Sequence, residues 1–347
     1  MAYHRPRSLA DATAILATSR DAGTVSAVGT DSAAGFVGTS GRSRADKLLV
    51  MAGGTDIYPG LVGRSVPGDV LDLSAVSELR GIERHSGELP GGGLRADRLQ
   101  GDEQRIDQWR IGACTTWNDV ITADLPPSLS ALQTAARQIG GRQIQMRGTV
   151  GGNLCTASPA GDGIAVLVAL SAEVELVGPT GNRRLPISEF ITGYRATTLA
   201  DDELVAAIWV PNRSGPSDFQ KLGSRSHLVI SIVMVATQLE MTADAIVPRI
   251  AVGACSPVAT RLRGLETELQ EWLDTHYDPQ VNSPYPSTVQ PAEGLDFESF
   301  DFESFGFGTC DYPELSPIDD VRGTADYRRG VVAHLVKRSV GNCLEML

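Results

Sequence analysis

Lysine is nearly missing from this chain. Among 30 basic residues in 347, only Lys47, Lys221 and Lys337 are lysines, so a single lysine in the right place is conspicuous. The basic residues are also outnumbered by 42 acidic ones, a formal net charge of -12. That balance excludes a general nucleic-acid binder and a protein drawn to anionic membrane surfaces. No apolar run approaches the ~20 residues of a membrane span. The opening MAYHRPRSLADATAIL lacks the apolar stretch of a secretory signal. Cysteine is sparse: Cys114, Cys155, Cys255, Cys310 and Cys343 are far apart and form no C-x-x-C pair. This excludes a zinc site or an iron–sulfur cluster within the chain and suits a reducing cytoplasm. The five histidines form no cluster with a serine or cysteine, so the sequence offers no catalytic side chain and no metal ligand. Both G-x-G-x-x-G and G-x-x-x-x-G-K-[ST] are missing, which removes a dinucleotide Rossmann site and a P-loop. What is left is ordinary for a globular protein, 42% hydrophobic and long enough for two or three domains.

Glycine, by contrast, is plentiful and in two places is paired beside hydroxyls and a carboxylate. Leu48–Met51 reads as a short buried strand broken by Ala52-Gly53-Gly54-Thr55-Asp56. In the longer segment Ile139–Asp162, Thr149-Val150-Gly151-Gly152-Asn153 makes a similar break after a basic, amphipathic lead. Paired glycines permit positive φ and let a ligand or another backbone come close. Successive N–H groups turned into such a bend form a concave nest for an anion such as phosphate. The competing explanation of either pair is a plain tight turn.

The remaining pattern is mixed helix and strand. Ser8 caps a helix over Leu9–Ala17, Val70–Leu73 and Trp109–Gly112 read as strands, and Thr115 or Thr116 starts a helix. Ser128–Gly140 carries the apolar stripe Leu129, Leu132, Ala136 and Ile139. Ile164–Leu170 is a helix apolar on all sides, and Glu173–Val177 with Arg183–Leu185 forms a hairpin, followed by a strand at Glu203–Val210. Pro211–Pro216 is a natural boundary, dividing residues 1–213 from 216–347. Beyond it, Leu262–Leu273 and Asp319–Val340 read as helices. Three stretches without clear period, Gly23–Asp46, His85–Gln108 and Pro279–Leu315, read as irregular insertions, the last with a tandem DFESF repeat.

In chain order, AGGTD (Ala52–Asp56), IGACTT (Ile111–Thr116), RGTVGGNLCTASPAGD (Arg147–Asp162), FQKLGSR (Phe219–Arg225), RIAVGACSP (Arg249–Pro257) and DVRGTADYRR (Asp320–Arg329) resemble the FAD-binding medium subunit of the molybdenum hydroxylases. That family includes the xanthine dehydrogenase and carbon monoxide dehydrogenase types, and the resemblance covers nearly the whole chain. It implies an α+β architecture: a two-lobed FAD-binding domain of the PCMH/VAO type, then a small C-terminal domain with a three-stranded antiparallel sheet and helices. It also implies FAD contacts at Ala52, Gly53, Gly54, Thr55, Asp56, Thr115, Gly151, Gly152, Asn153, Thr156 and Asp162. Lys221 matches a lysine that approaches the flavin, where a cation favours the reduced ring. On the residues alone, Asp162 also fits an N-cap for the helix from Ile164, Lys221 a solvated surface lysine, and Arg142 and Arg147 surface partners rather than aids to the diphosphate.

The function implied by the resemblance is electron transfer. Electrons released at a molybdopterin cofactor on a large subunit pass through 2Fe-2S clusters on a small subunit to FAD on this chain, then to NAD+ or another acceptor. A dimer of heterotrimers in the cytoplasm is the implied assembly. The rival is a self-contained flavin oxidase of the same superfamily, often with a covalent flavin, for which Cys155 is the nearby candidate.

Overall fold

The structure is a computed structural model that describes residues 2–21, 25–26, 48–66, 68–88, 105–276, 305 and 312–347. Most of Gly23–Asp46 and Pro279–Leu315, including the DFESF repeat except Phe305, lies outside the described residues. Numbered in chain order, the strands are β1 Tyr3–His4, β2 Val25–Ser26, β3 Leu48–Met51, β4 Val70–Asp72, β5 Ile82–Glu88, β6 Arg105–Gly112, β7 Glu173–Gly178, β8 Gly181–Pro186, β9 Ile191–Gly193, β10 Ala196–Thr197, β11 Leu204–Pro211, β12 Ser217–Leu222, β13 Val233–Met241, β14 Ile246–Gly253 and β15 Thr260–Arg261. The helices are α1 Leu9–Asp21, α2 Ile57–Gly60, α3 Trp117–Thr122, α4 Ser130–Gln138, α5 Arg142–Gln145, α6 Val150–Thr156, α7 Asp162–Ala169, α8 Ile187–Phe190, α9 Arg263–His276 and α10 Ala325–Leu344. None of the described helices is long and apolar enough to cross a membrane.

The chain forms two compact units. The first holds Met1–Ala123, Ile139–Ser158 and Ser171–Asn212. In it a parallel sheet runs β1-β4-β3-β2, with β3 and β4 in register at Leu49↔Val70 and Met51↔Asp72. Helix α1 starts where Ser8 Oγ accepts the Asp11 N–H at 3.1 Å. It lays Ala12 and Leu16 into a core with Leu48, Leu71, Leu73 and Val76. Deleting one such buried leucine to alanine costs about 2–5 kcal/mol. The second sheet of this unit is antiparallel, in the order β5-β6-β11-β7-β8. Its central strand LVAAIWVP is buried along nearly its whole length, which is why it reads as a continuous apolar run rather than an alternation.

The second unit holds Asp124–Gln138, Pro159–Leu170 and Arg213–Leu347. A division at Pro211–Pro216 assigns the first two of these pieces to the preceding domain, whereas their contacts place them here. Its antiparallel sheet, β12-β13-β14-β15, has three long strands and a fourth of only two residues. Val233, Val235, Leu239 and Ile250 of that sheet pack with Leu265, Leu269 and Leu273 of α9 and Val332, Val336 and Val340 of α10. Helices α4 and α7 also pack on the sheet, and all eight residues of α7 are buried.

Four sequence expectations change in the structure. His85–Gln108 is not irregular throughout, because β5 and β6 pair from Ile82↔Ile111 to Glu88↔Arg105. Charged residues on the solvent side hid that alternation, with Arg84 and Asp107 bonding across the strands at 2.7 Å. The last helix begins at Ala325, not Asp319. Its N-cap is Thr324, and Asp319 and Asp320 act just before it, accepting from the Ala325 N–H and the Arg328 guanidinium. Ser128–Gly140 divides into a 3-10 turn, Pro127–Leu129, and α4. The segment Thr149–Asn153, read as a glycine break after a basic, amphipathic lead, is the start of helix α6.

Candidate functional site

A cavity of about 270 Å³ opens in the first unit, with both glycine segments in its wall. The first leaves the carboxyl end of parallel strand β3, the position at which open sheets with parallel strands place ligands. Gly54 there has φ +73, a left-handed conformation glycine adopts without the penalty a side chain incurs. Gly53 is required for another reason: a Cβ on it would lie 1.9 Å from the Arg147 carbonyl oxygen, so the two segments meet backbone to backbone. Among the described residues no protein acceptor takes the N–H groups of Gly53, Gly54 or Thr55. This bend therefore keeps the free donors of an anion nest.

The second segment differs. Val150 N–H donates to Thr115 O at 3.0 Å and Gly151 N–H to Ala113 O at 2.8 Å. Gly152 N–H donates to the hydroxyl of the N-cap Thr149 at 3.1 Å. Its three leading N–H groups are spent on the protein, which corrects the expectation of a second nest. Gly151 is needed because a Cβ would meet the Ala113 Cβ at 2.7 Å. What α6 does present to the cavity is Gly151, Gly152, Asn153, Cys155 and Thr156. Asn153 lines the cavity, and its Oδ1 is buried with no hydrogen-bond partner among the described residues. Such a group costs about 1–3 kcal/mol until something donates to it.

Ala52, Gly53, Gly54, Thr55, Asp56, Gly151, Gly152, Asn153 and Thr156 are thus brought together around one cavity. Thr115 is fully buried beside it, its hydroxyl donating to Gly81 O at 3.0 Å, and is not in the cavity wall. Asp162 and Lys221 lie in the second unit, where Lys221 Nζ and Asp162 Oδ2 are 2.6 Å apart and both side chains are nearly sealed from solvent. Neither bland alternative for this pair holds. Gly161 is the N-cap of α7, and the Asp162 carboxylate goes to Lys221 and to the Ser231 hydroxyl at 2.5 Å instead. Burial pushes the Asp162 carboxyl above the usual carboxylate range, with Lys221 and Ser231 pulling it back. Arg142 and Arg147 are exposed and outside the cavity wall.

Sequence reasoning missed several wall residues. Trp117, Ile139, Ile144, Leu204 and Val205 supply apolar surface, and Glu203 supplies a carboxylate. Arg183 holds Glu203 by two bonds of 2.7 and 2.8 Å, depressing the pKa of its carboxyl. The strand start at Glu203 was visible, but not that the opening of β11 faces a cavity. Cys155 keeps part of its surface open, yet the surrounding protein pushes its thiol up to about 12, as burial does that of Cys114. A thiol held neutral is a weak nucleophile, a poor anchor for covalent attachment. Free N–H donors, an unpaired amide acceptor, hydroxyls and broad apolar walls form a set that fits a flavin nucleotide, with its diphosphate, hydroxylated chain and flat ring.

Comparison with known proteins follows the same line. Residues 39–213 match the family described as the FAD binding domain in molybdopterin dehydrogenase. The chain is 27% identical to the nicotine 6-hydroxylase medium subunit of Paenarthrobacter nicotinovorans, over 84% of this chain and 88% of that one. It is 26% identical to the carbon monoxide dehydrogenase medium chain of Hydrogenophaga pseudoflava, over 97% and 95%. In fold it is similar to quinoline 2-oxidoreductase from Pseudomonas putida 86, with a TM-score of 0.68 at 21% identity over 99% of this chain and 97% of that one.

Proposed function

Because the chain belongs to the family of FAD-binding domains of molybdopterin dehydrogenases, and is an oxidoreductase flavoprotein, we propose that it is the FAD-carrying electron-transfer subunit of a multi-subunit molybdenum hydroxylase. The observation that carries this reading is the cavity walled by both Ala52–Asp56 and Gly151–Thr156, with Asn153 Oδ1 unpaired in its wall. The first segment's N–H groups take the diphosphate, and Thr55, Asn153 and Thr156 meet the polar chain that follows. The Asp56 carboxylate suits sugar hydroxyls. Trp117, Ile139 and Ile144 keep water from the apolar part of the ligand. Thr115, Asp162 and Lys221 stay in the proposed cofactor set on the family resemblance. FAD, when bound, supplies the redox chemistry, accepting electrons singly or in pairs.

In this reading a large molybdenum-cofactor subunit oxidises the substrate, and a small subunit with 2Fe-2S clusters relays the electrons. This chain then passes them to NAD+ or another acceptor, within a dimer of heterotrimers in the cytoplasm. Residues 1–213 are read as a two-lobed PCMH/VAO-type domain, of which Asp124–Gln138 and Pro159–Leu170 cluster with the small C-terminal domain, 216–347, built on the three long strands β12–β14. The test is an absorbance spectrum of the purified chain with acid release and chromatography of the chromophore. FAD released in near-equal ratio to protein is expected; a colourless chain that takes up no added FAD overturns the proposal. Asn153→Leu, which removes the unpaired acceptor, leaves folding stability equal or higher and weakens FAD binding about tenfold.

A further inference from the structure

The turn between β9 and β10 holds Arg195 at φ +52, a left-handed conformation that glycine takes freely and a long side chain does not. A residue kept against such a preference points to work done by its side chain. Arg195 has two engagements. Its N–H donates to Ala157 O at 3.0 Å, and Ala157 is the left-handed C-cap of α6. Its guanidinium faces Asp56, with Nη1 3.3 Å from Oδ2 and Nη2 3.4 Å from Oδ1. Asp56 holds the N-cap position of α2 yet makes no capping bond with its side chain, so its carboxylate is left to the arginine. One residue therefore joins the end of the helix that carries Gly152, Asn153 and Thr156 to the carboxylate that closes the first glycine bend. Arg195 itself is not in the cavity wall, whereas Asp56 is.

The geometry points to Arg195 as a positioning residue: it holds the Asp56 carboxylate at the cavity and braces the two glycine segments as one FAD-binding wall. This rests on the flavoprotein reading above. A two-pronged arginine fixes the carboxylate plane as well as its charge, which a lysine does not reproduce.

The test uses the full chain, stripped of FAD and titrated with it, alongside thermal unfolding. Arg195→Gly removes the guanidinium and suits the left-handed backbone, so the expected protein has an unchanged or higher Tm and an FAD Kd raised about fivefold. Arg195→Lys lies between that variant and the wild type. Asp56→Asn raises Kd by a similar factor, and Arg195→Gly combined with Asp56→Asn raises it no further, because the two share one interaction. An unchanged Kd in Arg195→Gly overturns the inference alone. So does a fall in Tm that accounts for the weaker binding, or a double variant whose losses multiply. A wild-type chain that binds no FAD overturns the functional reading and this inference with it.

Discussion

Ala52–Asp56 and Thr149–Asn153 spell nearly the same thing, a glycine pair flanked by hydroxyls, yet the backbone uses the pairs oppositely. In the first, Gly54 turns left-handed and the N–H groups of Gly53, Gly54 and Thr55 stay open. In the second, both glycines are helical and their N–H groups are consumed by Ala113 and Thr149. The difference follows from what precedes each pair. A strand of a parallel sheet ends at Met51 and must bend, whereas Thr149 has the extended backbone and hydroxyl of an N-cap. Glycine in the first place provides conformation at Gly54 and closeness at Gly53; in the second, at Gly151, it provides closeness alone.

That contrast breaks most visibly on adding a single methyl group. Gly53→Ala drives a Cβ to 1.9 Å from a main-chain oxygen that has no rotamer to escape into. The expected loss is at least about 3 kcal/mol, read from urea unfolding, together with loss of FAD uptake. Gly151→Ala meets the Ala113 Cβ at 2.7 Å and costs about 2 kcal/mol. Its neighbour separates closeness from helix propensity: on Gly152 the methyl meets only the Thr149 hydroxyl, at 2.9 Å. Gly152→Ala is expected within about 0.5 kcal/mol of wild type, since alanine favours the helix, while FAD binding weakens because the methyl enters the cavity. Equal destabilisation by the two alanines would show that the segment is a turn in solution after all.

Thr149→Val sharpens the same point from the helix side. It removes the hydroxyl that takes Gly152 N–H and costs about 1.5 kcal/mol. Were the segment a nest, freeing that N–H would tighten FAD binding; as a helix cap, it weakens binding along with stability.

How much of this was legible in the sequence depends on the range of the interaction responsible. The hairpin β7–β8 and helix α9 follow from local period and turn residues, so their limits shift by only a residue or a few. The two glycine pairs stood out in the sequence, and both line one cavity in the structure. The start of α10 was misread because an acidic pair is a helix signal in general, whereas here Asp320 is drawn to Arg328 by a contact the local pattern does not encode. The open or spent state of each N–H depends on strand and helix ends far apart in sequence, Ala113 with Gly151 among them. The burial of Lys221 against Asp162 spans 59 positions and leaves no local trace beyond the rarity of lysine. Arg195 was overlooked for a different reason: nothing in GYRAT shows that arginine, not glycine, holds the left-handed position.

Two of the carboxylates in the cavity wall, Asp56 and Glu203, carry the comparison to its finest grain. Asp56 meets its arginine at 3.3 and 3.4 Å, while Glu203 meets Arg183 at 2.7 and 2.8 Å and also accepts the Ala200 N–H. Arg183 above all holds the Glu203 carboxyl below the usual glutamate range in the folded chain. A depressed folded pKa stabilises the protein above the unfolded pKa, and that contribution drains away as pH falls through the folded value. Glu203→Gln is therefore expected to lower stability by about 1 kcal/mol at pH 7. The gap to wild type begins to close as pH drops below the ordinary glutamate pKa and vanishes below the depressed one. Urea midpoints taken from pH 7 to pH 3 would trace it. A gap that stays constant to the acid end would mean that Glu203 is held by hydrogen bonds indifferent to its charge, as Gly152 N–H is held by Thr149, and not by the ion pair.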